Sequence, residues 1–155
     1  TVEFGDAYEV LMGAGLGAFD AVILDLTDPG MALSRRLYTP EFFRAAAARL
    51  RRPGVLVVQA GSLRLTNLGA HLGVVSAIRG AFRVVRSYWA DVPFFGEVWG
   101  FALAADGLDP RSLPPEEVDR RLRERGVSGL RFYDGETHTQ LFALPRYVRT
   151  ALGDP

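Results

Sequence analysis

The sequence contains no cysteine, no lysine and only two histidines among its 155 residues. Without cysteine it cannot form a disulfide, offer a thiolate nucleophile, bind zinc through sulfur or hold an iron–sulfur cluster. Without lysine it has neither a Schiff-base nucleophile nor the phosphate-binding loop that depends on a lysine. His71 and His138 lie too far apart for the HExxH spacing of zinc proteases. The sequence therefore excludes several large enzyme classes and predicts no metal site.

An excess of one charge and long hydrophobic runs are also missing. The 18 basic residues are balanced by 18 acidic ones, so the net charge is zero, which argues against a general nucleic-acid binder. No apolar run is long enough to span a bilayer. Residues 1–6 lack the charged and apolar regions of a signal peptide. We therefore expect a cytoplasmic protein whose partners are neither nucleic acid nor membrane.

Hydrophobic residues make up 48% of the chain, and their periodicity predicts alternating strands and helices. A mainly apolar run at 19–26, in which residues 21–24 are all apolar, is typical of a parallel strand that is covered on both faces. Thr39 and Pro40 form a helix start, and Pro53-Gly54 a helix stop. The other predicted strands are residues 1–4, 55–59, 83–92 and 99–104, and the other predicted helices are 7–11, 67–81, 114–125 and 145–152.

This element order predicts the second half of an α/β, Rossmann-like, doubly wound sheet. The last two strands are close enough in sequence to pair as an antiparallel hairpin. We expect residues 1–108 to form the sheet core and residues 109–155 to form a helical tail. Because half-sheets of this kind are rarely complete alone, we expect the chain to be a fragment. A small self-sufficient α/β domain is the alternative.

Polar residues follow three of the predicted strands. Asp25 and Asp28 follow Leu24, where the apolar part of the strand at 19–26 ends, Gln59 ends the strand after it, and Asp6 follows the first. Ligands of open α/β sheets bind beyond the carboxyl ends of parallel strands. We therefore expect Asp6, Asp25 and Gln59 to converge on one site. The alternative is that the aspartate pair only shapes a turn by accepting backbone hydrogen bonds.

These residues carry a resemblance to a known family. Asp25-Leu26-Thr27-Asp28-Pro29 resembles the D-x-[ST]-D-P signature of the polyamine aminopropyltransferases, which include spermidine, spermine and thermospermine synthases. Further similar segments follow in the family's order along nearly the whole chain. They are Gly5-Asp6-Ala7, Leu37-Tyr38-Thr39, Glu41-Phe42-Phe43, Gln59-Ala60-Gly61, Phe132-Tyr133, His138 and Phe142-Ala143-Leu144-Pro145.

The resemblance implies a class I methyltransferase-like fold and transfer of an aminopropyl group from decarboxylated S-adenosylmethionine to an amine. The family's pattern implies Asp25 as the general base and a contact to the co-substrate. It implies Asp28 as an anchor for an acceptor nitrogen, Asp6 with the Ala7 backbone for adenine, and Gln59 to orient the acceptor amine. It also implies a homodimer or homotetramer and no cofactor beyond the adenosyl co-substrate.

Two departures from the family pattern affect these expectations. The turn of residues 92–101 lacks the tyrosine of the spermidine synthases and is more similar to the thermospermine branch. Glu97 could replace that tyrosine as a distal anchor for a longer polyamine, or be an exposed turn residue, and Trp99 is the best candidate for a cavity wall. Residues 13–17 are glycine-rich but precede a strand, so they predict a helix stop and a turn.

The family's N-terminal β domain, glycine-rich cofactor turn and ribose-binding acid are expected to be absent from this sequence. Catalytic turnover by the purified chain alone would contradict that expectation. Two other functions stay open: a methyltransferase that uses intact S-adenosylmethionine, and a non-catalytic module that binds an adenosyl nucleoside. Both histidines are expected to be structural.

Overall fold

The computed structural model describes residues 1–13 and 17–154, and its strands form one mixed sheet. The strands are β1 (Phe19–Leu24), β2 (Leu50–Ser62), β3 (Val84–Val92) and β4 (Glu97–Ala105). Their order across the sheet is β1-β2-β4-β3. β1 is parallel to β2, whereas β4 is antiparallel to both β2 and β3. The α/β class and the hairpin predicted from the sequence are confirmed.

Helices connect and flank these strands. The α-helices are α1 (Ala7–Met12), α2 (Pro40–Ala48), α3 (Leu68–Arg79), α4 (Pro115–Glu124), α5 (Gly135–Phe142) and α6 (Arg146–Leu152), and the 3-10 helices are Ala32–Tyr38, Pro93–Phe95 and Pro110–Ser112. The predicted start of α2 is confirmed, because Thr39 Oγ1 accepts a hydrogen bond from the Phe42 N–H. Within residues 1–13 and 17–154, no helix is both long and apolar enough to cross a membrane.

The core lies between the sheet and the two helices α2 and α3. α2 contributes Phe42 and Phe43, and α3 contributes apolar side chains from its inward face. The side chains that are at most 2% exposed here include Phe42, Phe43, Leu56, Val58, Val74, Val75 and Ile78. This packing fixes the carboxyl ends of β1 and β2 relative to each other, which is where the candidate site lies.

Two predictions about the first strands are wrong. Residues 1–4 form no strand, and Val2 and Phe4 are 80% and 99% exposed, because no described strand pairs with them. β1 is not covered on both faces, since it lies at the sheet edge and Ile23 is 73% exposed. A continuous apolar run identifies a parallel strand correctly, but the cover depends on neighbours that the run does not contain.

The boundary between α2 and β2 also differs from the prediction, and one helix was not predicted. α2 ends before Arg49, and β2 already begins at Leu50, so Pro53-Gly54 lies inside a strand. The register shifts there: Phe19 pairs with Leu50, whereas Ala21 pairs with Val55. α5 was missed, although Asp134 caps it by accepting from the Thr137 N–H at 2.8 Å. α1 ends at Gly13 as predicted, whereas residues 14–16 of the predicted glycine-rich turn lie outside the described residues.

Candidate functional site

A cavity of about 410 Å³ opens where β1 and β2 end and β4 begins. It lies beyond the carboxyl ends of the parallel pair, the edge at which open α/β sheets bind ligands. Three carboxylates, one amide and two aromatic rings line it together with two further residues. The lining residues are Asp25, Leu26, Thr27, Asp28, Gln59, Phe95, Glu97 and Trp99. The structure therefore brings together most of the residues that the sequence singles out.

The two aspartates differ in whether their carboxylate oxygens already accept hydrogen bonds from the protein. Asp28 Oδ1 accepts a hydrogen bond from the Gly30 N–H at 2.7 Å, which is the turn-forming role considered as the alternative. In the described part of the chain, no hydrogen bond or ion pair involves the Asp25 carboxylate. Both residues are exposed. Asp25 can therefore offer both oxygens to a ligand, while Asp28 keeps one oxygen in its turn.

The buried Gln59 amide forms hydrogen bonds to other protein atoms through both its nitrogen and its oxygen. Its Nε2 donates to the Leu26 carbonyl at 2.8 Å and to the Tyr38 hydroxyl at 2.9 Å. Its Oε1 accepts from Trp99 Nε1 at 2.9 Å and from the Gly61 N–H at 3.2 Å. An amide oxygen has two acceptor lone pairs, so none remains for an ammonium group. Gln59 therefore does not orient an amine by accepting from it, and instead joins two walls of the cavity.

Glu97 is the first residue of β4 and contributes a third carboxylate to the cavity. Its side chain is only 18% exposed, so it is not the exposed turn residue considered as the alternative. Ser62 Oγ donates to Glu97 Oε2 at 2.6 Å, and Arg64 Nε lies 3.1 Å from the same oxygen. Among the described residues these are its polar partners, and neither engages Oε1. One Glu97 oxygen is held in place and the other remains available.

Two aromatic rings form the apolar wall. The ring centroids of Trp99 and Phe95 are 4.6 Å apart, and the bond from the indole N–H to Gln59 fixes the orientation of Trp99. Gly96 closes the turn after Phe95 with a φ of 63°, a left-handed conformation that favours glycine. Trp99 was predicted as a wall, whereas Phe95 was not, because a residue in a turn shows no periodicity. Aromatic faces attract cations, so this wall suits an ammonium ligand.

Tyr38 was not predicted as a site residue. It ends the 3-10 helix Ala32–Tyr38, and its hydroxyl donates to the Thr27 carbonyl at 2.8 Å. Burial, assisted by the charges of Asp28 and Asp25, raises the pKa of Tyr38 from 10.0 to about 12. The phenol therefore stays protonated and remains a donor. Proximity of Tyr38 to Thr27 depends on the loop between them, for which the sequence offers no periodic signal.

Asp6 and Ala7 do not line this cavity. Asp6 caps α1 by accepting from the Tyr8 N–H at 2.9 Å, and its other oxygen accepts from Arg36. The expected convergence of Asp6 with the cavity residues is therefore wrong for this structure. The reason is that residues 1–4 are not a strand of the sheet, so Asp6 does not stand at the end of one.

Both histidines are structural, as expected, and neither lines the cavity. His138 Nε2 donates to the Pro110 carbonyl, and Nδ1 bonds to the Tyr133 hydroxyl, both at 2.8 Å. His71 Nε2 bonds to Ser87 Oγ at 2.9 Å within the core. These bonds tie α5 and α3 to neighbouring elements.

Residues 1–110 match the family model of the spermine/spermidine synthase domain. The chain belongs to the spermine/spermidine synthase family. The matched range includes every residue that lines the cavity. The resemblance drawn from the aspartate signature is thereby confirmed.

Relatives and solved structures agree with this family. The polyamine aminopropyltransferase of Nitrosomonas europaea is 42% identical over 139 residues, which cover 88% of this chain and 42% of that protein. The spermidine synthase of Thermotoga maritima has a TM-score of 0.71 at 28% identity, covering 88% of this chain and 44% of that one. A spermidine synthase in complex with the transition-state analogue AdoDATO has a TM-score of 0.74 at 28% identity, covering 88% and 45%. The chain thus spans less than half the length of these family members.

A larger cavity, of about 560 Å³, lies at the start of β2. Its two guanidinium groups already have carboxylate partners: Arg51 lies 2.9 Å from Asp20, and Arg52 lies 3.2 Å from Asp106. The larger cavity therefore has fewer unpaired charged groups for a ligand than the cavity lined by Asp25, Asp28 and Glu97. In residues 1–13 and 17–154, no group of three histidine or acidic side chains is placed to hold a metal ion.

Proposed function

We propose that the acidic cavity binds the acceptor amine in the transfer of an aminopropyl group from decarboxylated S-adenosylmethionine. One observation carries the proposal: Asp25, Asp28 and Glu97 share a cavity with the aromatic wall of Trp99 and Phe95. Aliphatic amines have pKa values near 10 and are cationic at neutral pH, so three carboxylates and two aromatic faces complement them. The relatives named polyamine aminopropyltransferase support the same activity.

In the proposed mechanism Asp25 acts as the general base. Its carboxylate attracts the ammonium group and takes one proton from it, which frees the nitrogen lone pair. The nitrogen then attacks the aminopropyl carbon next to the positively charged sulfur of the co-substrate. A C–N bond forms, the C–S bond breaks, and its electron pair stays on the sulfur of methylthioadenosine. Because the sulfonium is already activated, the protein needs to supply position and charge rather than further activation.

The other cavity residues have distinct proposed roles. Asp28 anchors an acceptor nitrogen with the oxygen that the turn does not use, and Glu97 holds a distal nitrogen through Oε1. Trp99 packs along the hydrocarbon spacer between them. Gln59 orients the acceptor indirectly, by joining the loop at Leu26 to the indole. The roles of Gln59 and Glu97 thus follow from which of their atoms remain free.

For the co-substrate, we propose that Asp6 and the Ala7 backbone bind adenine, with Asp25 at the aminopropyl end. Asp6 lies next to the end of the 3-10 helix through its contact with Arg36, so adenine would compete with that guanidinium. Residues 1–108 would supply the acceptor side as the sheet core, with 109–155 as a helical tail. We also propose a homo-oligomer in the cytoplasm that needs no metal or further cofactor.

The proposal predicts that amines bind to the purified chain and alter only one of its two tryptophans. Trp99 lines the cavity, whereas Trp89 donates its indole N–H to the Ala143 carbonyl elsewhere. In a proton–nitrogen NMR titration with putrescine or spermidine, we expect the Trp99 indole signal to shift and the Trp89 signal to stay. The double change of Asp25 and Asp28 to Asn should remove the shift.

Asp20→Asn is the matched control, because Asp20 is an exposed β1 carboxylate paired with Arg51 outside this cavity. It should leave the titration unchanged. Equal shifts of both indole signals, no shift at all, or the same response in the double variant would each contradict amine binding at this site.

A second prediction concerns Glu97 and the length of the amine. Glu97→Gln should weaken binding of the triamine spermidine about fivefold, the loss expected for one partly screened ion pair of roughly 1 kcal/mol. Binding of the diamine putrescine should change less, because its two charges can be met by Asp25 and Asp28. Competition between the two amines in the NMR titration measures both effects. Glu41→Gln, an exposed change on α2, is the control, and an equal loss for both amines would refute the distal role.

A further inference from the structure

The loop that holds the two aspartates is tied to Gln59 through the Leu26 carbonyl and to a neighbouring helix through its central residue. Thr27 Oγ1 is 2.7 Å from Ser34 Oγ, and the Thr27 carbonyl accepts from the Tyr38 hydroxyl at 2.8 Å. Both partners belong to the 3-10 helix Ala32–Tyr38. This helix therefore binds both the side chain and the backbone carbonyl of Thr27. Thr27 lies two positions after Asp25 and one before Asp28.

The Tyr38 hydroxyl also connects the loop to the aromatic wall. It accepts from Gln59 Nε2 at 2.9 Å while donating to Thr27, and the opposite end of the Gln59 amide accepts from the Trp99 indole. The hydrogen bonds thus run without a break from the Thr27 carbonyl through Tyr38 and Gln59 to Trp99. Hydrogen bonds in such a chain orient one another. Loss of the hydroxyl would therefore loosen both the loop and the indole, which would then be joined only by the direct bonds from Gln59 Nε2 to the Leu26 and Thr27 carbonyls.

We propose that Tyr38 is a positioning residue of the amine site, which sets the spacing between the aspartate loop and the Trp99 wall. The inference rests on the proposed function for its consequence, weaker amine binding, but its structural half can be measured without any amine. The hydroxyl acts as a hydrogen-bond bridge, because it accepts from Gln59 and donates to Thr27 at the same time. Tyr38 touches no reacting atom in this scheme.

The test compares Tyr38→Phe with Tyr147→Phe in the full chain. Tyr147 offers a matched bond, since its hydroxyl donates to the Leu63 carbonyl at 2.7 Å and the residue does not line the cavity. Tyr38→Phe should move the Trp99 indole signal in the free protein, leave the Trp89 signal, and weaken spermidine binding roughly 3- to 10-fold, the size expected for one or two hydrogen bonds. Tyr147→Phe should do neither, at a similar cost in melting temperature.

Two outcomes overturn the inference. An unmoved Trp99 signal with wild-type amine affinity shows that the bridge does not position the site, and equal effects of both variants show a general loss of packing. If the wild-type chain binds no amine, the proposed function fails, while the Trp99 signal alone still decides whether Tyr38 holds the indole. Should Tyr38→Phe not fold, Ser34→Ala removes the other tether of the loop and is read in the same way.

Discussion

In an enzyme completed from a relative, replacing Asp25 by asparagine should lower kcat/KM for the proposed aminopropyl transfer about 1000-fold. A general base typically contributes 10²- to 10⁴-fold to a rate, and asparagine keeps the shape of the side chain while losing both its charge and its ability to take a proton. The Asp25 carboxylate has no hydrogen bond or ion pair within the described residues. The change should therefore leave the fold intact, with a melting temperature close to that of the unchanged protein.

The assay uses the chain completed by the segments of the Nitrosomonas europaea relative that it does not span. Decarboxylated S-adenosylmethionine and spermidine are supplied, and methylthioadenosine release is measured. Methylthioadenosine binding should stay largely intact in the Asp25→Asn variant, and Asp20→Asn should retain its activity. Near-normal turnover by Asp25→Asn would show that another group takes the proton, whereas loss of methylthioadenosine binding would assign Asp25 to the co-substrate instead.

Features that depend on neighbouring residues in sequence were predicted correctly. Thr39 and Pro40 start α2 because the cap and the fixed proline φ act within one helical turn. Asp25 and Gln59 meet because the ends of adjacent parallel strands lie at one sheet edge, which follows from topology rather than from side-chain detail. These two kinds of signal were enough to place the cavity.

Features that depend on distant partners were not predictable in the same way. The strand predicted for residues 1–4 lacks a pairing partner among the described strands, and the exposed face of β1 lacks a cover. The saturation of Gln59 arises from the nearby Gly61 N–H and from partners 21 to 40 positions away. Sequence patterns therefore located the acidic edge of the sheet. Which residues have free atoms for a ligand, and which only hold other residues in place, could be seen only in the structure.

The buried His71 should make the protein lose stability in mild acid. The side chain has no exposed surface, and burial lowers the pKa of His71 from 6.5 to about 4. Between those two pH values His71 binds a proton in the unfolded chain but stays neutral in the folded protein. The folded state is thus fully stabilised above pH 6.5 and loses stability as the pH falls to 4. At about 1.36 kcal/mol per pH unit, the loss approaches roughly 3 kcal/mol of unfolding free energy.

The double variant His71→Leu/Ser87→Ala isolates this contribution, because it removes the titrating ring together with the Ser87 hydroxyl that bonds to it. Urea denaturation at pH 7 and at pH 4 gives the drop in unfolding free energy for each protein. The exposed carboxylates titrate alike in both, so the difference between the two drops belongs to His71. The drop in unfolding free energy from pH 7 to pH 4 should be roughly 3 kcal/mol smaller in the variant than in the unchanged protein. Equal drops would mean that the folded protein accommodates the proton on His71. The ring would then have to shift, because it packs so closely on Gly100 that a β-carbon there would lie only 2.5 Å from His71 Nδ1.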